Sequence, residues 1–84
     1  MRDQSDARMW ILLASAESLQ GRKTAHHRAQ AEVYVLQGSR PAAIEQLELA
    51  RRAGDGDFFE MSAVDARMRQ LRQEDLAERQ REKR

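Results

Sequence analysis

Apolar residues recur along the chain at the spacing of amphipathic helices, in four segments that are separated by glycine. Within each segment an apolar residue returns every three or four positions. Glycine can adopt the left-handed conformation that ends a helix, and Gly21, Gly38 and Gly54 follow the first three segments. The pattern therefore predicts an all-α fold of four antiparallel helices. Their predicted bounds are residues 6–20, 23–37, 40–53 and 57–77, here called helix 1 to helix 4.

The spacing of these glycines indicates how the helices are arranged. Gly21 and Gly38 are 17 residues apart, which is half the 34-residue period of a common helix-hairpin repeat. Small side chains at Ala31, Ala43 and Ala50 would let helices 2 and 3 approach each other closely. We therefore expect two stacked helical hairpins within a single domain of 84 residues, with helix 4 as the capping helix.

Helix 1 differs from the others because its central residues, 9–14, are apolar on nearly every side. A helix of this kind requires neighbours on more than one face, and helix 2 can cover only one of them. An upstream helix or a second copy of the chain would supply the other cover. Self-association through helix 1, as a homodimer without a peptide ligand, is therefore an alternative function for this domain.

The same pattern predicts which side of helix 4 is buried and that the charged end of the chain is exposed to solvent. The predicted apolar stripe of helix 4 consists of Phe58, Met61, Val64, Met68 and Leu71. Residues 78–84 are all charged or amide, so we expect a solvated helical tail that frays. Phe59 follows Phe58 directly and cannot share its face, which makes Phe59 a candidate contact for a partner.

Composition excludes several classes of function. The chain has 35% charged residues and a net charge of +1, which gives no reason to expect nucleic-acid binding. It contains no cysteine, which rules out disulfides and thiolate metal sites within it. The longest apolar run, residues 9–14, has six residues, whereas a membrane-spanning helix needs roughly 20. We expect no membrane span.

The residues with the most reactive side chains do not form a catalytic or metal-binding pattern. His26 and His27 are adjacent, so on a helix their side chains point about 100° apart. They therefore cannot coordinate the same metal ion. We expect one packed and one exposed histidine, no catalytic residue, and no metal or cofactor in this chain. Trp10 and Tyr34 are expected in the core instead of serving as anchors for a peptide.

Residues 25–53 resemble a tetratricopeptide repeat through Tyr34, Gly38, Ala43, Leu47 and Ala50. A longer stretch, from residue 10 to the end, is similar to the C-terminal tetratricopeptide segment of periplasmic HExxH zinc metallopeptidases. This family includes the β-barrel assembly-enhancing proteases of Gram-negative bacteria. The residues that carry the longer resemblance are Trp10, Gly21, His26, Ala31, Glu32, Tyr34, Gly38, 43–50, Asp57, Phe58, Asp65, Ala66 and Arg67.

The resemblance implies a non-catalytic protein-interaction module of a periplasmic metallopeptidase that serves outer-membrane protein quality control. The expected partner is a protein or an unfolded polypeptide, including components of the outer-membrane assembly machinery. No HExxH motif occurs in this chain, so zinc and the catalytic glutamate would belong to a catalytic domain upstream. The repeat alignment places Arg28, Glu32 and Val35 on the inner, partner-binding face. Phe59 completes the candidate contact set.

Overall fold

Four α-helices make up the part of the chain that the computed structural model describes, residues 4–83. The helices are α1 (Gln4–Leu19), α2 (Lys23–Leu36), α3 (Arg40–Ala53) and α4 (Phe58–Glu82). No strand occurs within these residues, so the all-α prediction is confirmed. The bounds of α1, α2 and α3 agree with the predicted ones to within two residues at either end.

Helix α2 lies at the centre of the molecule, with α1 packed on one side and α3 on the other. Helix α4 packs mainly on α3 and also touches α2. Successive helices are joined by short turns, so α2–α3 and α3–α4 each form a hairpin. The first residues of α2, α3 and α4 follow one another at intervals of 17 and 18 residues, close to the spacing read from the sequence.

The core lies where α2, α3 and α4 meet, and it is built around three alanines. Ala31, Ala43 and Ala50 have no exposed surface, which agrees with the predicted close approach of α2 and α3. The larger core side chains are Leu47, Val64, Met68 and Leu71. Because the alanines keep the backbones close together, these few large side chains can fill the space between the helices.

The predicted stripe of helix 4 is wrong at its first position. Phe58 is 78% exposed, and its neighbour Phe59 is 80% exposed. The two rings pack edge to face against each other, with centroids 5.8 Å apart. Phe58 is the first residue of α4 and directly follows its N-cap, Asp57. It therefore lies outside the core, and the buried stripe begins at Val64, with Met61 half-buried before it.

The three predicted glycine stops occur in the structure. Gly21, Gly38 and Gly54 all have positive φ angles, the conformation that residues with a Cβ adopt at a steric cost. The conformation matters most at Gly54, the C-cap of α3, where φ is 65°. This conformation changes the direction of the chain after α3, so that the next residue, Asp55, lies next to the first residues of α2.

Asp55, which follows the end of α3, caps the beginning of α2. Its two carboxylate oxygens accept hydrogen bonds of 2.8 Å from the backbone N–H groups of Lys23 and Thr24. The buried Thr24 hydroxyl donates to the Ala50 carbonyl at 2.8 Å and accepts from the Asp55 N–H at 3.2 Å. We call this network the Asp55–Thr24 clasp. It satisfies free N–H groups of α2 and joins the two ends of the hairpin.

Serine and threonine are common N-cap residues, but neither Thr24 nor Ser39 caps its own helix with its side chain. The Thr24 side chain bonds to α3 instead of its own helix. Ser39 is the N-cap of α3, but its hydroxyl makes no capping hydrogen bond. Asp57, in contrast, caps α4, because its carboxylate accepts a hydrogen bond of 2.8 Å from the Glu60 N–H.

Helix α4 continues to Glu82, five residues beyond its predicted end at residue 77. The tail has a contact that the apolar pattern does not show. Arg40, the first residue of α3, donates a 2.7 Å hydrogen bond to Glu78, and this bond lowers the pKa of the Glu78 carboxyl. Asp75 and Arg79 form an i, i+4 ion pair at 3.1 Å, which favours helix at this end. Residues 79–83 are exposed, as expected of a solvated helical tail, but the tail is tied to α3 at its first residue, Glu78.

The clasp predicts a specific loss of stability in acid. The hydrogen bonds from Thr24 and then Lys23 lower the pKa of Asp55 from 3.8 to about 2. Because folding favours the ionised carboxylate, its contribution is complete above pH 3.8 and is lost as the pH falls towards 2. We expect Asp55→Asn to lower the melting temperature at neutral pH, with the gap to the unmodified chain closing over this acidic interval. Thermal unfolding followed by circular dichroism at a series of pH values measures the gap, and a gap independent of pH would contradict the prediction.

Candidate functional site

A groove runs between α1 and α4, with α2 as its floor. It contains two adjoining cavities, of about 210 and 320 Å³, which share Trp10 and Arg28. We call this surface the α1–α4 groove. Its lining residues are Trp10, Leu13 and Glu17 of α1, Ala25, Arg28, Ala29 and Glu32 of α2, and Glu60, Ala63, Ala66, Arg67 and Gln70 of α4. The groove exists because α1 and α4 pack on different sides of α2 and do not pack on each other.

The two walls of the groove are largely apolar. Trp10 and Leu13 form the α1 side, and Ala63 and Ala66 form the α4 side. The short alanine side chains keep the groove open opposite the large indole ring. An apolar channel with a few charged groups is typical of a surface that binds another molecule.

Two ion pairs cross the floor of the groove from α2 to α4. Arg67 donates to both carboxylate oxygens of Glu32, at 2.8 and 2.9 Å. This bidentate hydrogen bond raises the pKa of the Arg67 guanidinium. Arg28 and Glu60 are more loosely paired, with 3.6 Å between their nearest charged atoms. The Glu32–Arg67 pair thus holds α4 against α2, whereas the Arg28–Glu60 pair can open at little cost.

The predicted partner-binding residues occupy neighbouring parts of the surface. Arg28 and Glu32 line the α1–α4 groove. Val35 lies further along α2, packs partly against the core and lines a separate cavity of about 260 Å³ with Arg40 and Leu71. Phe59 is exposed one helical turn before Ala63, at the groove's α4 wall. The structure thus brings Arg28 and Glu32 into one groove, places Phe59 beside its wall and sets Val35 apart.

Both histidines are half-buried and hydrogen-bonded, so the expectation of one packed and one exposed ring is wrong. His26 Nδ1 donates to the Ala14 carbonyl at 2.7 Å and so ties α2 to α1. His27 Nδ1 donates to Gln46 Oε1 at 2.8 Å and ties α2 to α3. Among residues 4–83, no three histidine, aspartate or glutamate side chains are grouped so that they could hold a metal ion.

Of the twelve residues that line the groove, sequence reasoning predicted Arg28 and Glu32 and missed the others, including Trp10, Glu17 and Arg67. Trp10 was assigned to the core, but it is only half-buried because α1 has no second neighbour on that side. Glu17 follows Trp10 by seven residues, two full helical turns, so both lie on one side of α1. This seven-residue spacing could have been used to predict that Trp10 and Glu17 lie on the same side of α1. No sequence feature indicated that Arg67 lines the groove, because its partner, Glu32, is 35 residues away along the chain.

Comparisons with protein-family models, with curated proteins and with solved structures found no significant match to this chain. Of the helices within residues 4–83, none combines the length and the hydrophobicity that crossing a membrane requires.

The Glu32–Arg67 pair should couple α2 to α4 measurably. A double-mutant cycle of Glu32→Gln and Arg67→Gln is expected to give a coupling free energy of about 1 kcal/mol, since the pair is bidentate and mostly buried. The Glu48–Arg72 pair is the internal control, because its distance is 2.9 Å but both side chains are much more exposed. Its coupling should be below about 0.5 kcal/mol. Urea unfolding of the six variants and the unmodified chain measures both values, and equal couplings would contradict the assignment.

Proposed function

We propose that this chain is a non-catalytic protein-interaction module that binds an extended polypeptide segment in the α1–α4 groove. The observation that carries the proposal is the groove itself, an open apolar channel crossed by paired charges on its floor. Its alanine wall leaves room for a bound backbone, and the walls offer apolar contact along its length. Paired charges such as Arg28 and Glu60 can exchange partners with a ligand's polar groups.

The proposal extends to the biological setting that the sequence resemblance implies. A tetratricopeptide-like segment of a periplasmic HExxH zinc metallopeptidase would present such a groove to an unfolded outer-membrane protein or to the assembly machinery. The helical hairpins and their 17- and 18-residue intervals support this reading. The zinc and the peptidase activity would then belong to the parent protein's catalytic domain, and this chain would supply the polypeptide contact.

Trp10 allows a direct test, because it is the only tryptophan of the chain and lines both cavities of the groove. Tryptophan-free peptides that tile an outer-membrane β-barrel protein are titrated while Trp10 fluorescence is recorded. Ala66→Arg places a long charged side chain in the groove from an exposed position, and we expect it to weaken binding by about tenfold or more. Ala77→Arg is the matched control, on the same helix but outside the groove, and should leave the affinity unchanged.

Two results of this titration would contradict the proposal. One is that no peptide changes the emission of Trp10. The other is that Ala66→Arg and Ala77→Arg have the same effect on affinity, which would place binding elsewhere on the surface. Circular dichroism of both variants confirms that the helices are retained.

A second candidate function is self-association through the outer face of α1. Large apolar side chains are exposed there, with Met9 at 56%, Leu12 at 65% and Leu19 at 90%. They lie on the side of α1 that faces away from α2, whereas Trp10 and Leu13 face the groove. A second copy of the chain packed on this face would bury these residues in a homodimer.

The dimer is tested by sedimentation velocity over a range of concentrations. If α1 is the interface, the unmodified chain dimerises at high concentration and Leu12→Glu is monomeric throughout. Leu76→Glu is the control, because Leu76 is similarly exposed, at 57%, but lies on α4. Monomeric behaviour of the unmodified chain at every concentration would remove this candidate without affecting the polypeptide-binding proposal.

A further inference from the structure

The smaller cavity of the α1–α4 groove has the size and lining of a pocket for one side chain. Its volume is about 210 Å³, below the roughly 300–1,000 Å³ of sites that enclose whole small molecules. Trp10 and Leu13 line it from α1, and Ala25 and Ala29 line it from α2. These groups would contact an aliphatic chain. Three charged residues complete the lining: Glu17, Arg28 and Glu60.

Glu17 lines this cavity, and one of its carboxylate oxygens has no hydrogen-bond donor among residues 4–83. Its Oε2 atom is shielded from solvent, and no group within the described residues donates a hydrogen bond to it. The nearest cation is Arg22, whose guanidinium nitrogen lies 3.7 Å away, beyond hydrogen-bonding distance, on a side chain that is 66% exposed. Because Oε2 is closed to solvent in this conformation, a ligand cation would reach it by taking the place of the loosely held Arg22, and it would then supply the donor that buried carboxylate oxygens normally have.

The other two charged residues of the cavity, Arg28 and Glu60, compensate each other. Glu60 is already paired with Arg28 at 3.6 Å, and together these two side chains contribute no net charge. Glu17 therefore gives the cavity its negative character. A cation that entered beside Trp10 would also face an indole ring, the aromatic surface that attracts cations most strongly.

We propose that this cavity receives the side chain of a lysine or arginine, with its charged group at Glu17 and its aliphatic stem against Trp10. Both side chains combine an apolar stem with a cationic donor, which matches an apolar cavity whose lining has one carboxylate, Glu17, in addition to the Arg28–Glu60 pair. As a statement about the natural ligand, the inference rests on the proposed function: the basic residue belongs to the polypeptide held in the groove.

The test uses single-residue probes, so that it does not depend on finding the natural partner. Nα-acetyl-lysine methylamide is titrated at millimolar concentrations into the ¹⁵N-labelled chain, and Nα-acetyl-norleucine methylamide serves as its uncharged match. We expect the lysine compound to shift the Trp10 indole N–H resonance and the Glu17 amide, and the norleucine compound to do so much less. Glu17→Gln, which keeps the size of the side chain, should weaken lysine binding by about tenfold.

Two further variants separate a binding role of Glu17 from a structural one. Glu45→Gln removes a carboxylate from an exposed position on α3 and should not change lysine binding. Arg22→Gln removes the cation nearest to Glu17 and should strengthen lysine binding. If Glu17 served only as the structural partner of Arg22, this substitution would not strengthen it. Equal shifts with lysine and norleucine, or unchanged lysine binding in Glu17→Gln, would overturn the proposal. If lysine binds as expected while no peptide enters the groove, only the proposed function fails.

Discussion

The Asp55–Thr24 clasp is the constraint on which the rest of this small structure depends. It joins the start of α2 to the end of α3 through hydrogen bonds across 31 and 32 residues of sequence. The Thr24 hydroxyl is completely buried and both donates and accepts. Without this network, two free N–H groups of α2 would lose their partners, and the Ala50 carbonyl would keep only the 3.4 Å hydrogen bond from the Gly54 N–H. The clasp and the alanine contacts hold α2 and α3 together, and α4 then packs on α3 through Val64, Met68 and Leu71.

The groove follows from the way in which the outer helices are attached. Helix α1 packs only on α2, whereas α4 packs mainly on α3 and reaches α2 through the shared core and the Glu32–Arg67 pair. The space between α1 and α4 is therefore not filled by the core. Because α1 has one neighbour, it presents two uncovered surfaces: the groove face with Trp10 and the outer apolar face with Leu12. Polypeptide binding and self-association use different sides of α1 and do not exclude each other.

The charged groups of the groove differ in how firmly they are engaged, and this difference suggests their roles. The bidentate Glu32–Arg67 pair is short and mostly buried, so it acts as a structural link between α2 and α4. Arg28–Glu60 and Arg22–Glu17 are longer and more exposed. Such pairs contribute little to stability, which leaves their members available for a ligand. Helix packing supplies the shape of the site, and these loosely held side chains would supply its selectivity.

The sequence by itself determined the number of helices, the glycines that end them, and the alanines that bring α2 and α3 together. These features are local: a helix period, a residue without a Cβ and a run of small side chains are read within one or two turns. Only the tertiary structure decided that Asp55 caps α2, that Arg40 supports the end of α4, and that Trp10 and Glu17 face a groove. Each of these depends on residues from different helices meeting in space. Phe58 shows the same limit, because its helical spacing predicted burial and the end of α3 left it uncovered.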